Sequence, residues 1–584
     1  MARNYIGFAS SQHDSAIAIV NAAGEVVFAE ANERSLKNKR AWNVPPDAMA
    51  RIGPLVETYC DPDSDLVASL SWSGRGLRWS PWIHRLVRWK ERFQRAFSPP
   101  EERAAHHYSN QNIRQSMYKA PQGVPDMMLN LEYRLREADG FFSSRRQLHR
   151  GGWEHHLCHA ATACYTTADT DAISVVIDGM GEGVSVSCYA LQGGEIVPLS
   201  RKPFLNMASI GLFYGAVCWA CGFDPLLGEE WKVMGLASLG QMDPALYEWM
   251  RPMVQVRGTE LRQSRDHARR LNRLLELRKT WSSPEEAADL AHTGQAIFVE
   301  LVGELLTGIH QRWGGERLLL GGGCALNSSC NGVLLERTPY RSLHVPMAPG
   351  DDGNAIGAAL LAWKSDHPRQ RPPVCRSPYL GSELSGEAIA RVCRLGGLEA
   401  EVLSSQDRLV EQVASLLAEG CLVGWVQGRA EFGPRALGNR SILADPRDPA
   451  VKDRINQRVK FREEFRPFAP SVLHERGADY FENYQFSPYM ERTLRFARTE
   501  EVPGVVHRDG TGRLQSVTAD LNPRFHALIE AFERKTGVPM LLNTSLNVMG
   551  RPIVHDVEDA VALFFTSGLD ALVLDDHLFV KRIS

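Results

Sequence analysis

Long apolar runs are missing from this sequence. None approaches the ~20 residues that a bilayer-crossing helix needs, and the best late stretch, Val561 to Leu574, is broken by Ser567, Gly568 and Asp570. A charged leader with an apolar segment behind it is also missing. The chain goes straight into Tyr5-Ile6-Gly7-Phe8-Ala9, so no signal peptide is expected. There is no strong excess of either charge. The 66 Lys and Arg against 69 Asp and Glu leave a formal net charge of -3, which argues against nucleic acid or an anionic membrane as the main partner. The 11 cysteines are odd in number and scattered, the pattern of a reducing compartment, and a cytoplasmic location is expected. Cys218-Trp219-Ala220-Cys221 has no second CxxC beside it and sits in an apolar, helix-like run, so it reads as core. No GxxxxGK[ST] occurs, which excludes a Walker-type ATP site. Internal sequence repeats and low-complexity tracts are missing as well.

What is present is a chain of 584 residues, too long for one hydrophobic core, so two or more domains are expected. The opening reads strand, polar turn, strand. Ile6 to Ala9 leads through Ser10 to Ser15 into Ala16 to Val20, and Gly24 turns the chain before Val26 to Ala29. A second such unit runs from Ile173 to Ile177 through Asp178-Gly179-Met180-Gly181-Glu182-Gly183 to Val184–Leu191. Between the two, Trp72 to Arg150 is rich in Arg, Trp, His and Gln. It reads as an exposed, partly helical insertion with Arg stems lying on its surface, or as part of an acceptor pocket or a contact for an anionic group. Ser283-Pro284-Glu285-Glu286 has capping-box spacing and predicts the start of a long helix. Leu318 to Leu320 predicts a buried strand running into Gly321-Gly322-Gly323. A strand near Leu343 leads into Gly350-Asp351-Asp352-Gly353 and a small-residue helix, Ala355 to Trp363. A Pro-rich stretch, Lys364 to Pro378, marks the main boundary.

The chemistry concentrates at a few points. His155 and His159, four residues apart in Glu154-His155-His156-Leu157-Cys158-His159, face one side of a helix and can share a metal. Asp178 follows at a strand end and Asp351 at a strand-to-helix turn, where Asp351 is either a ligand or an N-cap. Two His and two Asp suit iron, manganese or zinc in a mixed site better than a closed thiolate site. In the second half, arginines alternate with Gly and Pro in Gln427-Gly428-Arg429-Ala430-Glu431-Phe432-Gly433-Pro434-Arg435-Ala436-Leu437-Gly438-Asn439-Arg440-Ser441 and in Lys460-Phe461-Arg462-Glu463-Glu464-Phe465-Arg466-Pro467. Rigid turns that present guanidinium forks to phosphate oxygens would have this pattern. A solvated basic face would instead alternate Glu and Lys at helical spacing. Arg513, in Asp509-Gly510-Thr511-Gly512-Arg513, enters a strand from a tight turn. Asn543-Thr544-Ser545-Leu546-Asn547 either binds a small amide or caps a turn.

These residues together resemble the antibiotic and nodulation-factor O-carbamoyltransferases, a family that includes enzymes acting on aminoglycosides, cephalosporins and aminocoumarins. His13-Asp14-Ser15 is similar to the family's HDxS, and Glu33-Arg34 with Lys39 to its EER…K stretch. The HHLxHA, DGxGE, KVMGLA and GDxG motifs are matched at His155–Ala160, Asp178–Glu182, Lys232–Ala237 and Gly350–Gly353. QGRxEFGPRALGNRSIL, FRPFAP, DGTxRxQ and LLNTSxN follow in order. Asn32 departs from the first Glu of EER, and the Trp72–Arg150 segment has no counterpart among these motifs.

The resemblance implies an α/β protein of two domains. Residues 1–365, with 72–150 as a variable insertion, form a metal-dependent domain on the actin/sugar-kinase (ASKHA) fold. Residues 366–378 are a linker, and 379–584 form a YrdC-like domain that makes carbamoyl adenylate and pyrophosphate from carbamoyl phosphate and Mg-ATP. The acceptor is a hydroxyl on a small natural product. The implied metal ligands are His155, His159, Asp178 and Asp351, with iron ahead of manganese or zinc. His13 takes the acceptor proton with Asp14 orienting it, or only bonds a phosphate or a neighbouring turn. Lys39, Gly179, Glu230, Lys232, Gly322, Gly323 and Asn327 are implied to hold the adenylate in the first domain. Arg429, Arg435, Arg440, Ser441, Lys460, Arg462, Arg466, Arg513, Asn543, Thr544, Ser545 and Asn547 are implied for ATP and carbamoyl phosphate in the second. The adenylate passes within one chain or across a homodimer, and both routes stand. A threonylcarbamoyl enzyme for tRNA would want a basic surface, hydrogenase-maturation relatives would add paired CxxC motifs, and a non-catalytic nucleotide sensor would lack the ligands. Neither nucleic acid nor membrane is expected as a partner.

Overall fold

The structure is a computed structural model that describes residues 2–9, 13–48, 51–61, 64–114, 148–200, 206–396, 400–403, 405–463 and 465–581. Residues 10–12 of the first predicted turn and 115–147 of the Trp72–Arg150 segment lie outside the described residues. The chain forms two compact units. The first comprises Met1–Leu36, Arg40–Asn327 and Val333–Arg376, and the second Lys37–Lys39, Ser328–Gly332 and Ser377–Ser584.

The first unit contains two five-stranded sheets of one design. In the first, β1 (Arg3–Ala9), β2 (Ala16–Val20), β3 (Val26–Ala31), β4 (Asp65–Leu70) and β5 (Leu148–Gly152) lie in the order β3-β2-β1-β4-β5. In the second, β6 (Ala172–Gly181), β7 (Val184–Gln192), β8 (Glu195–Pro198), β9 (Arg317–Gly321) and β10 (Ser342–His344) lie in the order β8-β7-β6-β9-β10. In each sheet the first strand runs antiparallel to the second and parallel to the fourth. This order, used twice, is the arrangement of the actin and sugar-kinase fold. The repeat is one of topology, carried by apolar strands that share no sequence pattern. β1 and β2 are buried along nearly their whole length, which is why they read as continuous apolar runs.

Described parts of the Trp72–Arg150 segment form α1 (Gly74–Phe97) and α2 (Arg103–Arg114), and its last residues supply the edge strand β5. The segment is therefore joined into the first sheet rather than hung outside it. Further elements are α3 (His155–Tyr165), α4 (Ile210–Ala220), α5 (Glu230–Ala237), α6 (Ala288–Trp313) and α7 (Asn354–Asp366). The small residues of α7 have a steric cause. A Cβ on Gly7 would collide with the carbonyl of Ala355, and one on Gly357 with the carbonyl of Cys158, so α7 packs backbone-close against both β1 and α3. The capping box predicted at Ser283 does not form. A 3-10 turn, Pro284–Ala287, precedes α6, the Ser283 side chain makes no cap, and the Glu286 carboxylate accepts from Ser282 N–H at 2.9 Å. The tighter winding of that turn carries the carboxylate one residue further back than a capping box requires.

The second unit is built on one nine-stranded mixed sheet. Its strands are β11 (Glu401–Val402), β12 (Val423–Val426), β13 (Arg440–Ala444), β14 (Ala469–Leu473), β15 (Arg492–Arg495), β16 (Thr511–Val517), β17 (Met540–Ser545), β18 (Ala571–Leu574) and β19 (His577–Val580). They lie in the order β11-β19-β18-β12-β13-β17-β14-β16-β15. Helices α8 (Gln406–Ala418) and α9 (Pro523–Thr536) pack together and share one core with Trp425, Phe468 and Phe564.

Candidate functional site

The helix α3 begins at two consecutive histidines because Glu154 caps it. The Glu154 carboxylate accepts from the N–H groups of His156 and Leu157 and from the Tyr189 hydroxyl. One turn apart, His155 and His159 then point to the same side, with their Nε2 atoms 3.3 Å apart. Asp178, near the end of β6, and Asp351, in the turn after β10, reach the same point. Asp351 Oδ1 lies 3.4 Å from both imidazole Nε2 atoms, and Asp178 Oδ2 lies 3.7 Å from that of His155. One donor atom from each of the four lies within 4.8 Å of the others, and all four residues are buried. Asp351 makes no cap bond to the following helix.

The surroundings fix these groups. Gly323 N–H donates to Asp178 Oδ1 at 3.0 Å, leaving Oδ2 for the centre. The Glu182 carboxylate takes the N–H groups of His155 and Ser73. A Cβ on Gly181 would strike the His155 ring, and one on Gly322, at φ +88°, would strike the Ile177 carbonyl. Burial opposes charge on His155, but Asp351 and Asp178 outweigh it and hold the imidazole well above its ordinary value. Asp351 is likewise held well below the usual carboxylate range by His155, against the cost of its own burial. The centre thus attracts positive charge, and two imidazoles with two carboxylates are a donor set that a divalent metal of intermediate softness fits.

Beside it, Asp14 Oδ2 lies 2.8 Å from His13 Nδ1, and His13 Nδ1 is 3.9 Å from Asp351 Oδ2. Arg40, which no sequence pattern singled out, completes this group. Its guanidinium bonds Asp14 Oδ2 at 3.1 and 3.3 Å and comes within 3.0 Å of His13 Nδ1. Asp14 N–H donates to the Arg40 carbonyl, and both residues sit at left-handed φ, 55° and 62°. Against its burial, Arg40 and His13 hold the Asp14 carboxyl at about 2. The adjacent Asp352 goes the other way. Burial, with Asp14 and Glu33 adding to it, raises it to about 8. The Trp42 ring lies 5.1 Å from that of His13, and the Trp72 ring 5.2 Å from that of His155.

The second unit gathers cations. Burial and the charges of Arg435, Arg462 and Arg466 push Arg513 well below its ordinary value. Lys460 is lowered in the same way by burial, Arg462, Arg466 and Lys39. Arg462 is pushed down to about 9 by burial and Arg466, and Arg435 to about 10 by burial alone. Arg462 lies over the Phe468 ring at 4.3 Å and bonds Asn456 Oδ1, while Glu463 takes a bond from Arg466 at 3.1 Å. Among the described residues, no carboxylate offsets Arg435 or Arg513, and Arg462 Nη2 and Arg513 Nε are buried without a partner. Lys460 Nζ is aimed by the Ser545 carbonyl, Ser545 Oγ and, at 2.6 Å, Asn547 Oδ1.

Other predicted residues do different work. The Arg440 guanidinium, at the start of a buried strand, donates to the carbonyls of Gln427, Gly428, Asn439 and Ser382. Arg429 donates to those of Leu380 and Gly381. Both order the glycine-rich loop. The same spacing of Arg among Gly residues serves either purpose, so the sequence could not separate them. Glu431 staples that loop by accepting from the N–H groups of Leu437 and Arg440. A network of Gln427, Asn439, Asn522 and Tyr379, missed by sequence reasoning, supports it from beneath. Ser441 Oγ accepts from Gly438 N–H. Asn543 donates into a buried network with Ala436, Ser471 and Gln515, and its Oδ1 is buried without a partner. Thr544 pairs along the strand with Ile442.

In the first unit, Glu230 is half-buried among charges that include Arg40 and His13, and burial raises its carboxyl above the ordinary value. Lys232 instead pairs with Glu229 at 2.7 Å and lies over Phe223, and Asn327 exchanges two bonds with Gln295. Gly179 lies under Gly211, where a Cβ would meet it at 2.9 Å. Lys39 was expected in the first domain's site, but it groups with the second unit and its charge falls on Lys460. The turn between β3 and β4 carries it there, and sequence order does not show this.

Two family patterns match this chain: the carbamoyltransferase N-terminus over residues 140–360 and the carbamoyltransferase C-terminus over residues 414–581. Nodulation protein NolO of Bradyrhizobium diazoefficiens is 36% identical, the alignment covering 73% of this chain and 79% of that protein. The sll1178 protein of Synechocystis sp. is 34% identical over 73% of this chain and 76% of its own length. Among solved structures, full-length HypF in its phosphate- and nucleotide-bound form aligns with 62% of this chain and 55% of its own, at 12% identity and a TM-score of 0.36. With both halves of the family pattern in order and a relative matched over most of its length, this chain belongs to the carbamoyltransferase family and is an enzyme of carbamoyl transfer.

Proposed function

We propose that this enzyme makes carbamoyl adenylate from carbamoyl phosphate and Mg-ATP in its C-terminal, YrdC-like unit, and then delivers the carbamoyl group to a hydroxyl of a small natural product. The observation that carries the reading is the gathering of Arg435, Lys460, Arg462, Arg466 and Arg513, in which Arg462 Nη2 and Arg513 Nε are buried without a partner and Lys460, Arg462 and Arg513 are each pushed down by burial and by neighbouring cations. Such a cluster is costly to hold together unless polyanions occupy it. Triphosphate and carbamoyl phosphate are polyanions that have to be brought together here.

Carbamoyl phosphate loses its phosphate to water, leaving carbamate. A carbamate oxygen attacks the α-phosphorus of ATP, and pyrophosphate leaves. The arginines screen the charge on the attacking and leaving oxygens. In the transfer step an acceptor hydroxyl attacks the carbamoyl carbon and AMP departs. His13 is the group that takes the hydroxyl proton. In the tautomer whose Nδ1–H donates to Asp14, Nε2 is left as the base, and Arg40 holds Asp14 in place. His155, His159, Asp178 and Asp351 would hold a divalent metal, iron ahead of manganese or zinc, which supplies Lewis acidity toward oxygen ligands. The acceptor class rests on the family resemblance.

The test is mass spectrometry of the protein with ATP, carbamoyl phosphate and magnesium, and no acceptor. Carbamoyl adenylate, pyrophosphate and phosphate should accumulate together. If none forms with protein that binds ATP and retains its metal, the adenylate scheme is wrong. His13→Ala should retain adenylate formation and lose transfer, and loss of both steps would refute the base assignment.

A further inference from the structure

Helix α1 carries an aromatic face that is exposed among the described residues. Trp82, Leu86, Trp89, Phe93 and Phe97 recur at steps of three and four residues, one side of an α-helix, and are 51, 40, 68, 55 and 73% exposed. The Trp89 and Phe93 rings lie 6.1 Å apart and stacked, and those of Phe93 and Phe97 lie 4.8 Å apart, so the strip is continuous. The opposite side of the helix anchors it. Val87 is buried, and Gln94 Oε1 accepts from Asn110 Nδ2 of α2 at 2.8 Å. Isolated exposed aromatics are ordinary, but a row of this length, about 22 Å at 1.5 Å per residue, is not.

Charge indicates the occupant. The 24 residues of α1 hold seven Lys and Arg against one acidic residue, Glu91, an excess hidden by the net charge of the whole chain. Exposed Arg85 and Arg92 border the strip on one side and Lys90 on the other. Aromatic side chains along the middle with basic ones at both margins suit a phosphate-bearing surface over an apolar interior. A second copy of α1 would bring like charges face to face. Nucleic acid would want the basic groups along the centre of the strip rather than at its edges.

We propose that α1 docks this enzyme onto anionic lipid bilayers, with the strip at the headgroup–acyl boundary and Arg85, Lys90 and Arg92 on lipid phosphates. The test is sedimentation of the full chain with vesicles of roughly two parts phosphatidylcholine to one part phosphatidylglycerol, and with phosphatidylcholine alone. Binding to the anionic vesicles should be at least about tenfold tighter and should weaken with salt. It should fall about fivefold for each of Arg85→Gln and Arg92→Gln. The triple variant W89S/F93S/F97S, shown by circular dichroism to be folded, should lose it. No vesicle binding, or binding that the triple variant keeps, overturns the proposal. So does concentration-dependent self-association, or single-stranded DNA binding of equal strength, that the triple variant abolishes, and these would assign the face to a second copy or to nucleic acid.

Discussion

At the scale of single residues, the cations around Arg513 are costly to each other as long as no anion lies among them. Arg513→Met should therefore have two opposite effects. Adenylate formation should fall by at least about a hundredfold, the loss of charge-assisted bonds worth ~3 kcal/mol. The ligand-free protein should melt about 2–4 °C higher for each ~1 kcal/mol of repulsion relieved. Differential scanning calorimetry with and without phosphate separates the two, because the gain should vanish when phosphate fills the wild-type site. His507 gives a pH dependence. Its Nε2 is buried without a partner, and burial lowers it to about 4. The unfolded chain binds that proton near the ordinary value of ~6.5. Stability is thus fully present above ~6.5, declines as pH falls, and levels off below about 4. Urea titrations of His507→Gln across this range should show an acid limb shallower by up to ~3 kcal/mol. Of the residues concerned, Arg513 was legible only through the family's DGTxRxQ pattern, since an Arg beside Gly in a tight turn does not by itself say what it meets. Arg40 was not. Nothing in Lys37-Asn38-Lys39-Arg40 says which cation faces His13, and the left-handed backbone at Arg40 decides it.

Whole elements explain why the centre is held so closely. α7 approaches β1 and α3 at backbone contact because Gly7 and Gly357 have no Cβ, and this brings Asp351, just ahead of α7, beside His155 at the start of α3. Gly7→Ala should force β1 and α7 apart at a cost of ~1–3 kcal/mol. It should appear as a lower urea midpoint with an unchanged slope. The small-residue helix was readable from its composition, and the i, i+4 histidines from their spacing. The failed capping box at Ser283 was not, because a 3-10 turn and an α-helical first turn accept the same residues.

At the scale of the molecule, two units with separate cores suit two separable reactions. Asp178→Asn should lower bound metal, measured by elemental analysis, and abolish carbamoyl transfer, while pyrophosphate release without acceptor stays within about twofold. Equal loss of both reactions would mean that the centre also serves activation. The ordered motifs and the α/β class could be read from the chain by itself, because strand patterning and glycine turns are local properties. Of the twofold sheet order only the two opening strand–turn–strand units could be read, since the later buried strands need only be apolar and carry no mark of their neighbours. Neither the placing of Lys39 in the second unit nor the four carbonyls that the Arg440 guanidinium meets could be read. Both depend on where a side chain ends after distant segments pack. For charged groups that outcome is decided by which buried carbonyls and carboxylates remain to be satisfied, and only the tertiary structure determines them.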